Sequence, residues 1–225
     1  MQTDETQAPS TSTPATAQTV VLLSKEHDIT AFASDDPSRF VIQGIHYNAT
    51  AGCVEATNGR QLIRVPVERS EDFPPVSGAF TPASDVIIPS APYKKALAGI
   101  PRSKTLPIIE NVALSAVNGS KVRLTTNDLD NENSVVAKAI EGNYPRLDLV
   151  IPTKPPVFTI ALSAYELRII ADYFARHSDA TAAVTFQFTA DTEPVRFAGT
   201  LASGKRATGV LMPCRLTQHP SYPRH

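Results

Sequence analysis

Tryptophan is missing from this 225-residue chain, and aromatic residues make up only 7% of it. Cysteine is scarce. Cys53 and Cys214 stand far apart with no CxxC partner, which excludes a disulfide framework and a cysteine-ligated zinc. The expectation is two buried thiols in a reducing compartment. No apolar run reaches the ~18 residues that a spanning helix needs. The first residues have neither the basic nor the apolar stretch of a secretory signal. A cytoplasmic protein with no membrane partner is therefore expected. Neither sign of charge dominates, with 21 Lys and Arg against 22 Asp and Glu. That excludes a polybasic or acidic tail as the main feature, although cations gathered on one face can still meet a polyanion.

The motifs of catalysis are absent too. Walker-A spacing, GxGxxG, HExxH and GxSxG do not occur. The histidines (His27, His46, His177, His219 and His225) show no metal-ligand spacing. The acidic run from Asp128 to Asn133 lacks the glycine and the distal glutamate of a calcium loop. His46 alternates with Ile45 and Tyr47 along a strand, and is expected at the surface or at a pocket edge. No nucleophile–base pair and no buried cluster of titratable groups is foreseen. The reading is a non-enzyme with no cofactor and no metal. An unrelated enzyme on a duplicated scaffold is the distant alternative.

What is present is a repeat. Hydrophobic residues make up 42% of the chain, enough for a core, and the 19 prolines sit largely at element boundaries. Residues 1–19 and 217–225 are polar and read as tails without structure. Between them, three segments share one plan: a strand, a helix or its remnant, then three strands. In the third, Val157–Leu162 reads as a strand. Ser163 caps a helix with Glu166 at the capping-box position, and Leu167, Ile170, Ala171 and Phe174 form its apolar face. Strands follow at Ala183–Phe188, Val195–Leu201 and Arg206–Met212. In the second, Val86–Ile88 leads to a helix capped by Ser90, with Pro92 in its first turn and Tyr93, Ala96, Leu97 and Ile100 facing inward. Ile108–Val117 and Lys121–Thr126 flank the hairpin signal Asn118-Gly119, and Ser134–Ile140 closes the segment. The first is degenerate. Val20–Leu23 is a strand and Ser24–Ser34 has room for only a short helix. Arg39–Tyr47, Cys53–Thr57 and Gln61–Val67 are strands, with Asn58-Gly59 at a turn. The chain thus reads as α+β, with a two-segment domain at 20–152 containing a linker at 70–84, and a half-domain at 153–216.

Several short stretches occur in a telling order: Ala56-Thr57-Asn58-Gly59-Arg60-Gln61-Leu62, Thr105-Leu106-Pro107-Ile108-Ile109-Glu110-Asn111, Thr126-Asn127-Asp128-Leu129, Glu141-Gly142-Asn143-Tyr144-Pro145 with Val150-Ile151-Pro152, and Leu211-Met212-Pro213-Cys214-Arg215-Leu216. Together they resemble the bacterial DNA polymerase processivity factor, the beta sliding clamp. The resemblance runs from about Val20 to Leu216. It implies the DNA-clamp fold, a ring of twelve strand–helix–three-strand units paired into six domains. This chain holds about three such units, so it resembles a shortened, divergent member.

The resemblance carries further expectations. In the family, partners dock a short hydrophobic peptide in a pocket between the second and third domains. Matching positions here are Ile42, Thr57, Gly59, Arg60, Gln61 and Leu62, then Pro145, Leu149 and Val150, then Val210, Leu211, Met212, Pro213, Cys214, Arg215 and Leu216. Asn58, Arg60, Gln61, Leu149 and Cys214 depart from the usual residues. The family's helices bring cations to duplex DNA without reading bases. Candidates are Lys94, Lys95, Arg102, Lys104, Arg168 and Arg176. The implied partners are duplex DNA, a DNA polymerase or repair protein with a clamp-binding peptide, a clamp loader and further copies of the chain. A decoy or regulator that binds replication proteins without encircling DNA is the alternative.

Overall fold

The computed structural model describes residues 20–70, 84–100, 110–118, 120–127, 131–181 and 183–214. The two tails, most of the 70–84 linker, residues 101–109, Asp128–Asp130, and the site candidates Arg102, Lys104, Arg215 and Leu216 lie outside the described residues. Two compact units are divided after Ile151.

The first unit holds two motifs that exchange their leading strands. Its strands are β1 (Val20–Leu23), β2 (Gly44–Asn48), β3 (Cys53–Thr57), β4 (Leu62–Pro66), β5 (Glu68–Ser70), β6 (Val86–Pro89), β7 (Val112–Asn118), β8 (Lys121–Asn127) and β9 (Glu132–Lys138), and its helix is α1 (Ser90–Ala98). One sheet runs β4-β3-β2-β6 and the other β5-β1-β7-β8-β9, all pairs antiparallel. So β6, at the head of the second motif, completes the first motif's sheet through Ile45↔Ile88 and Tyr47↔Val86. In return β1 completes the second motif's sheet through Val21↔Leu114 and Leu23↔Val112. Neither motif has a full sheet without the other.

The core forms between those sheets. Val21, Leu23, Ile45, Tyr47, Val54, Ile88, Val112, Leu114 and Leu124 come from strands of both, and Tyr93, Ala96, Leu97 and Ile100 from the α1 face. The expected inward face of α1 is therefore the observed one. The Tyr93 hydroxyl donates to the His27 carbonyl at 2.9 Å, tying α1 to the degenerate helix of the first motif. That helix is two short 3-10 turns, Lys25–His27 and Thr30–Phe32. His27 locks the first: Nδ1 accepts the Ser24 amide at 2.9 Å and Nε2 donates to the Pro66 carbonyl at 2.9 Å.

Two secondary-structure expectations fail in this unit. Arg39–Gln43 is not strand but part of a 3-10 stretch, Pro37–Gln43. Asp36 accepts the Ser38 amide at 2.9 Å and Pro37 fixes the first turn, so local capping wins over the apolar pattern of Phe40, Val41 and Ile42. Ser90 is not the helix cap. It is the first helical residue after Pro89, and its hydroxyl donates instead to the Gln43 carbonyl.

The second unit holds one motif. Helix α2 (Ala164–His177) is capped by Ser163, whose hydroxyl accepts the Glu166 amide at 3.3 Å. A three-stranded antiparallel sheet follows in the order β10 (Thr185–Gln187), β11 (Val195–Thr200), β12 (Arg206–Leu211). Phe174 is the buried anchor of α2. It packs on Gly199, where a Cβ would stand 2.4 Å from the ring. Val195, Ala198 and Leu211 are buried with it.

Val157–Leu162 is not the strand that was expected. It makes only one isolated bridge, Ala161↔Cys214. Ala171, expected inward, is exposed. Both differences have one reason. In the first unit the leading strand and the helix face are closed by the companion motif, and among the described residues no second motif packs on the second unit in that way.

Candidate functional site

The turn between β3 and β4 is built by short polar side chains. The Thr57 hydroxyl donates to the Gln61 carbonyl at 2.7 Å and accepts the Gly59 amide at 3.1 Å. The Asn58 side-chain oxygen accepts the amides of Arg60 and Gln61 at 3.0 and 3.1 Å. Gly59 has φ +83°, and a Cβ there would also meet the Arg39 guanidinium at 2.8 Å, so this position requires glycine. The turn places Thr57, Gly59, Arg60, Gln61 and Leu62 together on one rim. Thr57 is buried, Leu62 is half-buried, and Arg60 and Gln61 are exposed.

A buried charge network underlies that rim, which the sequence reading did not foresee. Glu55, only 1% exposed, lies on β3 beneath the turn. It accepts from Arg64 Nε at 2.6 Å and from His46 Nδ1 at 3.0 Å. Arg64 reaches on to Asp148 at 2.6 Å, and His46 Nε2 lies 3.5 Å from Asp85. Of the two places expected for His46, the surface and a pocket edge, the structure shows the second: it is buried, lines a cavity and stacks on Tyr144 at 4.5 Å. Burial alone would raise the Glu55 carboxyl. The His46 hydrogen bond and the Arg64 charge overcome it and hold the group below its ordinary value. The signal was present in sequence as Glu55 and Arg64 on adjacent strands, but only the register Glu55↔Arg64 and His46↔Glu55 brings the three together.

This network joins side chains of β2, β3 and β4. Cys53 Sγ lies 3.6 Å from Glu55, but burial and then the Glu55 charge push its thiol up to about 12. It stays protonated and inert at neutral pH. Among the described residues no three metal-ligating side chains converge, and no helix is long and apolar enough to cross a membrane.

The Arg64–Asp148 pair fixes the 3-10 turn Leu147–Leu149 beside β4. Leu147 is buried, while Leu149 and Val150 stand out at 74% and 66% exposure. Pro145 lines a polar cavity of about 920 Å³ with His46, Glu55, Tyr144 and Asp148. Ile42 is buried in the turn before β2. In the second unit, Val210 and Met212 are 66% and 62% exposed at the end of β12 and just past it, Leu211 is buried between them, and Pro213 is half-buried. Cys214 is exposed, not buried as expected. The Cys214 amide donates to the Ala161 carbonyl at 2.8 Å.

The cation candidates divide. Lys94 and Lys95 are exposed on α1, opposite its apolar face, with no ion pair among the described residues. Arg168 and Arg176 on α2 both lean on Asp172, at 3.6 and 3.8 Å. Beside them Tyr165, Ile169 and Tyr173 form an exposed apolar stripe.

No family model matches the sequence, and no curated protein matches it. Solved structures do match. The chain superimposes on a DNA polymerase sliding clamp from Bacillus subtilis with a TM-score of 0.62 and 13% identity, over 86% of this chain and 49% of that one. For the DNA polymerase III beta chain of Streptococcus pneumoniae the TM-score is 0.59 and the identity 20%, over 96% and 55%. For the Caulobacter crescentus beta sliding clamp they are 0.60 and 17%, over 92% and 53%. The chain has the sliding-clamp fold and spans about half the length of these clamps.

Proposed function

We propose that this protein is a clamp-like scaffold without catalytic activity, which tethers a replication or repair protein to duplex DNA by binding that partner's short hydrophobic peptide. One observation carries the reading. Leu149, Val150, Val210 and Met212 are large apolar side chains held in water at positions matched to the clamp family's peptide pocket. Exposed apolar side chains of this size mark protein-binding surfaces, and each unit carries two of them. The rim from Thr57 to Leu62 adds carbonyls, an arginine and a glutamine that can fix a peptide backbone. Met212 suits varied partners because its side chain deforms easily.

The test is titration of the full chain with a fluorescent clamp-binding peptide from a polymerase tail. Met212→Ala and Leu149→Ala, each at an exposed side chain, should weaken binding by about tenfold each, the loss of one well-covered apolar side chain. Unchanged affinity in both would remove the reading.

A second reading is favoured by α2. Its arginines are engaged by Asp172, and its neighbouring stripe is apolar rather than cationic. That suits a regulator which binds replication proteins without encircling DNA. Salt-dependent duplex binding that falls on Lys94→Glu with Lys95→Glu supports the tether. Peptide binding without any duplex affinity supports the regulator.

A further inference from the structure

The second unit repeats the plan of the second motif of the first unit, in step through the leading segment and the helix. The Ile140 amide donates to the Ile87 carbonyl at 2.8 Å, and the Cys214 amide donates to the Ala161 carbonyl at 2.8 Å. Both partners are displaced by the same interval (161 − 87 and 214 − 140 both give 74). The helix caps Pro89 and Ser163 obey it too. So do the helix faces: Tyr93, Ala96, Leu97 and Ile100 correspond to Leu167, Ile170, Ala171 and Phe174.

The environments of these equivalent positions differ. All four are buried in the first unit, whereas in the second only Phe174 is. The leading strand differs in the same way. In the first unit β6 is a full strand because it pairs with β2 of the companion motif. Its equivalent, Ile160–Leu162, has no partner strand among the described residues. The reciprocal slot is also open. β7 is flanked by β1 of the companion motif, while its equivalent β10 ends its sheet.

We propose that a second copy of this chain supplies the companion, so that two second units join about a two-fold axis into one complete clamp domain. Each copy would lend Ile160–Leu162 to the free edge of β10 in the other. By the pairing of β1 with β7, Ile160 would lie opposite Phe186, and Leu162 opposite Val184. The two segments are chemically suited. Neither carries a charged residue, and β10 lacks the lysine or proline with which exposed edges are usually blocked. The exchange is reciprocal, as a two-fold interface demands. Its completed form is visible in the first unit, where the same two edges and the same helix face are closed by another motif of the same plan. In a single copy Phe158 partly shields Phe188, with ring centres 5.9 Å apart, yet both rings are about half exposed.

This inference rests on the fold and is independent of the peptide reading, since a mass measurement involves no peptide. The test is sedimentation of the full chain up to ~100 μM, a range that captures a Kd of about micromolar. The expected result is a species of twice the 24.2 kDa chain mass. Ile160→Pro removes an amide from the lent strand. Ala171→Glu charges a position that is exposed in one copy and closed in the pair. Each should weaken association at least tenfold while the circular dichroism of the monomer is kept. A chain that stays monomeric throughout, or a dimer that both variants leave unchanged, would overturn the proposal.

Discussion

The two units follow one plan and reach different degrees of closure. The first closes on itself, because two motifs trade leading strands and bury a common helix face. The second has a helix at the equivalent place and the same strand order, but its leading segment does not become a strand. The difference shows that strand formation in this fold is a property of the partner edge as much as of the sequence. Val86–Ile88 and Ile160–Leu162 are both short apolar runs before a helix, and only the one that meets a companion edge is extended into a sheet.

The sharpest way to break this comparison is through the charge network, which exists only in the first unit. Glu55→Gln leaves Arg64 and His46 facing a neutral group and should cost about 3–5 kcal/mol. Hydrogen exchange should show protection lost in β2, β3 and β4 while α2 is untouched. The same group sets a pH dependence. Its folded value lies below the 4.5 of a free carboxyl, so at low pH the unfolded chain binds more protons than the folded one. The stabilisation is complete above the 4.5 of the unfolded chain and is lost as pH falls from there through the lower folded value. Acid titration of the wild type should show this loss, and Glu55→Gln should flatten it.

Next comes the equivalent pair on the two helices. Leu97→Ala empties a closed position and should cost about 2–5 kcal/mol. Ala171→Ser, at the matching place on α2, should change the stability of a monomer by less than ~0.5 kcal/mol. Equal effects would mean the second unit is closed in solution in some other way. A smaller effect tests a cap that α2 has and α1 lacks. Ser163→Ala removes the hydroxyl that holds the Glu166 amide and should cost about 1 kcal/mol, read as faster exchange in the first turn of α2.

Much of the fold could be read from residues. The apolar face of α1, the strand at Cys53–Thr57, the left-handed glycine at Gly59 and the Ser163 cap depend on neighbours within a few positions, and these were legible. The clamp resemblance also lay in short local stretches such as Thr57–Leu62. The Arg39–Gln43 turn was misread because Asp36 and Pro37 outweigh an apolar run.

Sequence alone determined the repeat, because each motif's helix spacing, caps and turn residues act over single turns. Tertiary structure decided two things. It decided which leading segments become strands, since that needs an edge from a distant motif. It also decided that Glu55, Arg64, His46 and Asp148 form one network running from the buried Glu55 to the exposed Asp148, since register across three strands and a return of the chain more than eighty positions later brings them into contact. Local chemistry is written along the chain, whereas closure and charge pairing depend on surfaces that meet only after folding.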